Sequence, residues 1–207
     1  MLANTTGANN TSVGQGSMQT NSTGSENTAV GRIALYSNTT GTNNIAIGYG
    51  ALYDNTTASY NVAIGRDALS ANTTTSEHVA VGGRALQSNT TGADNTAVGW
   101  SSLQDNTTAS YGSAFGGTAL ENNTTGSYNT ACGYGALATN TTGASNTAVG
   151  LNALMANTTA ANNTAVGAAA LDANTTGYSL TAVGKDAGAV CTTGSNSVFI
   201  GSSAGSN

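Results

Sequence analysis

Apolar and polar positions recur along this chain every 17 residues, without insertion or deletion. The triplet Asn-Thr-Thr begins at Asn4 and returns at Asn21 (as Asn-Ser-Thr), Asn38, Asn55, Asn72, Asn89, Asn106, Asn123, Asn140, Asn157 and Asn174. Cys191-Thr192-Thr193 takes the twelfth place. Numbered from this triplet as slots 1–17, the repeat reads Asn-Thr-Thr-Gly-x-x-Asn-Thr-Ala-Val-Gly-x-x-Ala-Leu-x-x. Slot 10 is always apolar, from Val13 to Ile200. Slot 15 is Leu from Leu35 to Leu171, with Met18 before and Gly188 and Gly205 after. Slot 9 is Ala in ten of twelve repeats, slot 11 is Gly in all twelve, and slot 14 is Ala or Ser.

Seventeen residues are too few for two packed helices, and Gly at slots 4 and 11 costs a helix about 1 kcal/mol each. Slots 7–11 instead read as a short strand bounded by Asn and Gly. Slots 8 and 10, rich in Thr, Val and Ile, then point one way and slots 9 and 11 the other. Further extended pieces are predicted over slots 13–15 and 1–3. One repeat cannot bury its own Val and Leu. Stacked coils can, because like slots then sit above one another at about 4.8 Å, giving a rod of roughly 57 Å. The expectation is an all-β fold: one parallel β-solenoid (β-roll) domain over residues 1–207, with coils starting at 4, 21, 38, 55, 72, 89, 106, 123, 140, 157, 174 and 191. Val and Leu are expected inside. The near-invariant Ala and Gly of slots 9 and 11 then imply close approach by another wall of the coil or by a second chain. A core of one Val and one Leu per coil is thin. Chain association is therefore favoured, with the small faces in a shared trimeric core.

Charge supports the stacking. Only 6% of residues are charged, nine acids and four bases, and all thirteen fall in slots 6, 12, 13, 16 and 17, the most variable positions. Those slots are the expected solvated corners. The net charge of −5 comes with no basic patch, which argues against nucleic-acid binding. No apolar run approaches the roughly 20 residues of a membrane span. Met1-Leu2-Ala3 leads straight into repeat sequence, so no signal peptide is visible. A mature chain, a fragment or a non-Sec export route is expected.

The segment Asn-Thr-Ala-Val-Gly-x-x-Ala-Leu resembles the Ser-Val-Ala-Ile-Gly-x-x-Ala repeat of YadA-like trimeric autotransporter adhesin heads. Ile45-Ala46-Ile47-Gly48, Val62-Ala63-Ile64-Gly65 and Val79-Ala80-Val81-Gly82 carry the likeness, as does Asn196-Ser197-Val198-Phe199-Ile200-Gly201 with Phe199 in the Ala slot. Similar arrays occur in bacterial surface proteins and phage tail fibres. The resemblance implies a left-handed parallel β-roll that forms homotrimers. The family's repeats are shorter, about 14 residues, so this chain departs from them in coil length.

Candidate chemistry is sparse. His78, the only histidine, replaces Asn in slot 7 without an arranged partner and reads as a tolerated substitution. Cys132 sits in the Val slot and is expected to be buried as a small hydrophobe. Cys191 lies four coils away, roughly 19 Å by strand spacing, beyond disulfide reach. Each slot-1 triplet is formally a glycosylation sequon, but an amide ladder at a turn is the preferred reading. Slots 2 and 3 should point to opposite sides, leaving one exposed Thr file rather than the paired file expected of an ice-binding face. Tyr49, Tyr60, Trp100, Tyr111, Tyr128 and Tyr134 occupy corner slots and are the candidate contact aromatics, with carbohydrate or host-surface ligands as possible partners. No metal set, cofactor motif or catalytic constellation is present.

These readings point to a non-enzymatic shaft or head of an extracellular fibre, on a cell or virion surface, acting as a homo-oligomer. The alternatives are an end-to-end filament subunit and an ice- or surface-binding solenoid module.

Overall fold

A computed structural model describes residues 3–206; Met1, Leu2 and Asn207, at the ends of the expected domain, lie outside the described residues. The fold is a parallel β-solenoid. Twelve three-residue strands run from β1 (Thr11–Val13) and β2 (Thr28–Val30), at every seventeenth residue, to β12 (Val198–Ile200). They form one parallel sheet in chain order, and like slots pair throughout: Thr11 with Thr28, Ala29 with Ala46, Val30 with Ile47.

Coil-to-coil bonding continues outside the sheet. The Leu35 amide donates to Ala51 O at 2.9 Å, and the Asp67 amide to Tyr49 O at 2.8 Å. The slot-2 amides donate to the slot-2 carbonyl of the next coil, as in Thr39 to Thr56 at 2.9 Å. The slot-2 hydroxyl repeats that bond, with Thr39 Oγ1 donating to Thr56 O at 3.0 Å.

Slots 8–10 are the only extended piece of each coil. Slots 13–15 are turn rather than strand, and slots 2 and 3 are bends after a slot 1 in no regular element. The backbone explains the first correction. Slots 6, 13 and 15 are left-handed: Tyr60 has φ 60°, Ile33 φ 53°, Leu35 φ 51°. With left-handed residues flanking it, slot 14 faces the core together with slot 15, so Ala34 and Leu35 are both fully buried. An extended chain would send neighbouring residues to opposite faces.

The second correction concerns the strand's two sides. Slot 9 faces the core: Ala29, Ala46 and their equivalents through Ala182 are 0% exposed. Slot 10 faces outward, with Val30, Ile47, Phe115, Val149 and Val183 exposed. The small residues of slot 9 therefore meet the opposite wall of their own coil, not a second chain. The interior is too narrow for a β-branched file beside the Leu file. Slot 11 has a different cause. Its glycines have φ between 113° and 142°, and a Cβ on Gly99 would lie 2.4 Å from Gly116 O.

Between the small apolar files run two buried amide ladders. In slot 1, Asn38 Nδ2 donates to Asn21 Oδ1 at 2.7 Å and to Gly41 O at 3.0 Å. In slot 7, Asn44 Nδ2 donates to Asn27 Oδ1 at 3.1 Å and to Ala58 O at 2.9 Å, while Asn27 Oδ1 also accepts the Asn44 amide. The expected slot-1 ladder is thus present, inside the coil. These slot-1 Asn side chains are fully buried and, one Nδ2 hydrogen of Asn89 apart, their donors are used, so the folded chain offers no accessible amide for glycosylation at Asn21 through Asn174. No buried side-chain nitrogen or oxygen lacks a partner among the described residues.

The last coils substitute one filling for another. Gly188 and Gly205 lack the slot-15 side chain, and Phe199 in slot 9 occupies the space: a Cβ on Gly205 would meet the Phe199 ring at 2.4 Å, one on Gly188 at 2.9 Å. No charged residue is buried, as expected for corner slots.

Gly99→Ala should destabilise by about 1–3 kcal/mol, the range for forced backbone strain. Asn106→Ala, which orphans amides in the coils on both sides, should cost a similar amount. Asn122→Ala, in a slot that elsewhere carries Ala, should stay within about 0.5 kcal/mol. Urea unfolding of the three variants beside the parent chain checks this order.

Candidate functional site

The outward side of the sheet is a continuous surface that runs across all twelve strands. Slot 8 presents Thr28, Ile45, Val62, Val79 and Thr96 and their equivalents, and slot 10 the Val and Ile file. Slots 7–11 hold no charged residue in any coil. Cys132 stands within this file and is exposed, not buried as a core hydrophobe, because the whole slot faces outward. Both cysteines are free thiols.

The threonine files separate as the sequence suggests. Slot 3 is exposed in all twelve coils, from Thr6 to Thr193, while slot-2 hydroxyls bond to carbonyls of the next coil. The outward-facing pair of files is instead slot 8, mostly half-buried, and slot 10, mostly exposed, which sequence reasoning had placed inside.

All six candidate aromatics are exposed, but they lie on two corners. On slot 6, Tyr111 and Tyr128 stack with ring centroids 5.1 Å apart and an interplanar angle of 10°. On slot 12, Tyr49 lies between Arg32 and Arg66, whose guanidinium carbons are 5.7 and 5.9 Å from its centroid. Arg84 sits 5.5 Å from the Trp100 centroid. Tyr134 and Tyr60 complete the two files. A third file, slot 16, holds the stacked pair Tyr36 and Tyr53 at 5.2 Å.

His78 is buried within the slot-7 ladder. Its Nδ1 accepts the Asn95 amide at 3.2 Å, which places the proton of the neutral ring on Nε2. Nε2 donates to Thr75 Oγ1 at 3.2 Å, and that hydroxyl donates to Asn72 Oδ1. Thr75 replaces the usual Gly or Ala of slot 4 in the same coil. His78 thus keeps the slot-7 ladder bonded, while Asn89 Nδ2, 3.4 Å from the protonated Nε2, finds no acceptor there and the slot-1 ladder is interrupted between Asn72 and Asn89. Sequence reading found His78 but not its partner, although Thr75 departs from the repeat only three residues earlier. Burial lowers the His78 pKa, offset in part by its bonds and by Asp94.

Among the described residues there is no group of three or more metal-binding side chains, and no helix is long and apolar enough to cross a membrane.

Between the lowered value and the ordinary 6.5, the unfolded chain binds more protons at His78 than the folded chain. Stability at this site is therefore full above pH 6.5 and falls as pH drops through that window. His78→Asn, which restores the consensus residue, should lose less stability than the parent between pH 7 and pH 5. Denaturation midpoints across that range read the difference; equal slopes would contradict it.

No protein-family model, curated protein or solved structure matches this chain.

Proposed function

We propose that this chain is a non-catalytic structural or adhesive segment, shaft or head, of an extracellular fibre on a cell or virion surface. In this reading the coils wind left-handed and three chains pack side by side. One observation carries the proposal: a twelve-strand face without charge holds its aliphatic file toward solvent. Exposed apolar patches of several hundred Å² mark interaction surfaces. A face roughly 57 Å long and about 10 Å wide offers on the order of 600 Å² per chain, near the ~800 Å² each partner gives a stable interface. The resemblance of the Val-Ala-Ile-Gly segments to trimeric adhesin heads supports three chains, now joined through slots 8 and 10 rather than 9 and 11.

A second reading has its own observation. Thr in slot 8 beside Val in slot 10 makes a regular paired file on a flat sheet, the arrangement a surface- or ice-binding module presents as a monomer. An end-to-end filament is the remaining alternative, because terminal sheet edges invite pairing.

Solution mass separates these readings. The expected result is a particle of three 20.2 kDa chains. Val149→Asp with Val166→Asp should release folded monomers with an unchanged β-sheet spectrum. In a Cys191→Ser background, a bis-maleimide should join chains through Cys132. A monomeric parent with thermal hysteresis would favour the second reading, and long filaments by electron microscopy the third.

A further inference from the structure

The slot 12–17 corner of the second to fourth coils carries a shallow, open cleft of about 350 Å³, lined by Tyr49, Gly50, Tyr53, Asp54, Asp67 and Ser70 together with Ile33. The repeat itself does not create it. Slot 16 carries a ring in Tyr36 and Tyr53 and then shortens to Ser70. One face of Tyr53 is covered by Tyr36, so its other face looks along the ladder over Ser70. Slot 13 is Gly at Gly50, between Ile33 and Asp67, and a Cβ there would lie 2.7 Å from Asp67 Oδ1. A missing side chain and a missing ring therefore open the space together.

The lining is chemically mixed. The open face of Tyr53 is a flat apolar wall. Asp54 is exposed, has no side-chain hydrogen-bond partner among the described residues and is raised in pKa by partial desolvation, so its carboxyl stands free at the wall as an acceptor. Asp67 keeps one carboxylate oxygen engaged by Arg66 Nε at 3.2 Å. Arg32 and Arg66 cover the two faces of Tyr49, so Tyr49 offers its edge and hydroxyl rather than a stacking face. The corner holds two carboxylates, Asp54 and Asp67, and two guanidiniums, Arg32 and Arg66, and so carries no net charge.

We propose that this cleft is a binding site for a neutral pyranose sugar. An apolar ring face fits the open side of Tyr53, and the hydroxyls around its rim find acceptors in Asp54 and Asp67 and a hydroxyl partner in Ser70. Charge balance disfavours a sialylated or sulfated ligand, which would meet Asp54, and a cationic one, which would meet the guanidiniums over Tyr49. The same chemistry serves a free monosaccharide or the terminal residue of a glycan. The site lies on a corner away from the slot 8–10 face, so it stands independently of chain association.

The test uses the full chain in its native oligomeric state, first on an array of neutral, sialylated and sulfated oligosaccharides. The best neutral sugar is then titrated by calorimetry, free and as a glycan terminus; tighter binding of the terminus identifies a glycan as the source, equal binding a free sugar. Tyr53→Ala should weaken binding at least tenfold. Gly50→Asn should abolish it, filling the cleft with a residue that slot 13 already carries at Asn152 with φ 55°. Tyr128→Ala, on slot 6, should leave it unchanged. Each variant is compared with the parent by thermal melting, so loss of binding is counted only in chains that remain folded. Preference for charged glycans, no neutral binding at millimolar sugar, or full binding by a folded Tyr53→Ala or Gly50→Asn chain would overturn the proposal. Because solution mass decides the fibre reading, failure here leaves that result untouched.

Discussion

Each coil must return to its starting point displaced by one strand spacing, and it has seventeen residues in which to do so. Everything else in the molecule follows from that closure. Three residues per coil form sheet; the remaining fourteen turn the chain while many of their amides still bond to neighbouring coils. The turning is done by left-handed residues at slots 6, 13 and 15 and by glycine at slot 11. Left-handed geometry costs a non-glycine residue roughly 1–2 kcal/mol. Leu and even Ile33 adopt it here because the ladder around them leaves no other path.

A coil so tight has a small interior, and its contents reflect this. Ala fills slots 9 and 14, Leu fills slot 15, and two files of Asn complete the cross-section. Such a core is short of apolar area but rich in satisfied polar contacts. An uncharged amide suits this place. It carries both donor and acceptor, so identical copies bond along the axis. His78 and Thr75 show how narrowly the ladders can be altered: the slot-7 bonding continues through the imidazole, but the slot-1 bond between Asn89 and Asn72 is lost.

The period, the stacking and the solvated corners were legible in the sequence because each leaves a pattern of its own. A fixed spacing without insertions marks register, and thirteen charges confined to five slots mark the outside. The Asn ladder was legible at slot 1 for the same reason. The inner side of the strand was not. A two-residue period separates two faces without naming the inner one, and ranking Val above Ala as a core residue chose wrongly. The near-invariance of Ala at slot 9 was the better signal, since a narrow wall facing a Leu in slot 15 accepts only small side chains. Cys132 was misplaced with its slot. The extended reading of slots 13–15 failed because Leu gives no hint of a left-handed backbone. Among the aromatics, the exposed ones were legible as corner residues, but the cleft beside Tyr53 depends on what is absent at Gly50 and Ser70.

The exchange at the last coils has a consequence for how such an array changes length. Almost every coil contributes its own Ala and Leu and bonds alike to either neighbour, so a central seventeen-residue block is interchangeable with the next. Gly188, Phe199 and Gly205 break that equivalence: one ring serves two coils, and neither can be moved without the other. The central coils are thus modular text that duplication or deletion can edit in whole units. The final pair behaves as a single word that must be copied intact.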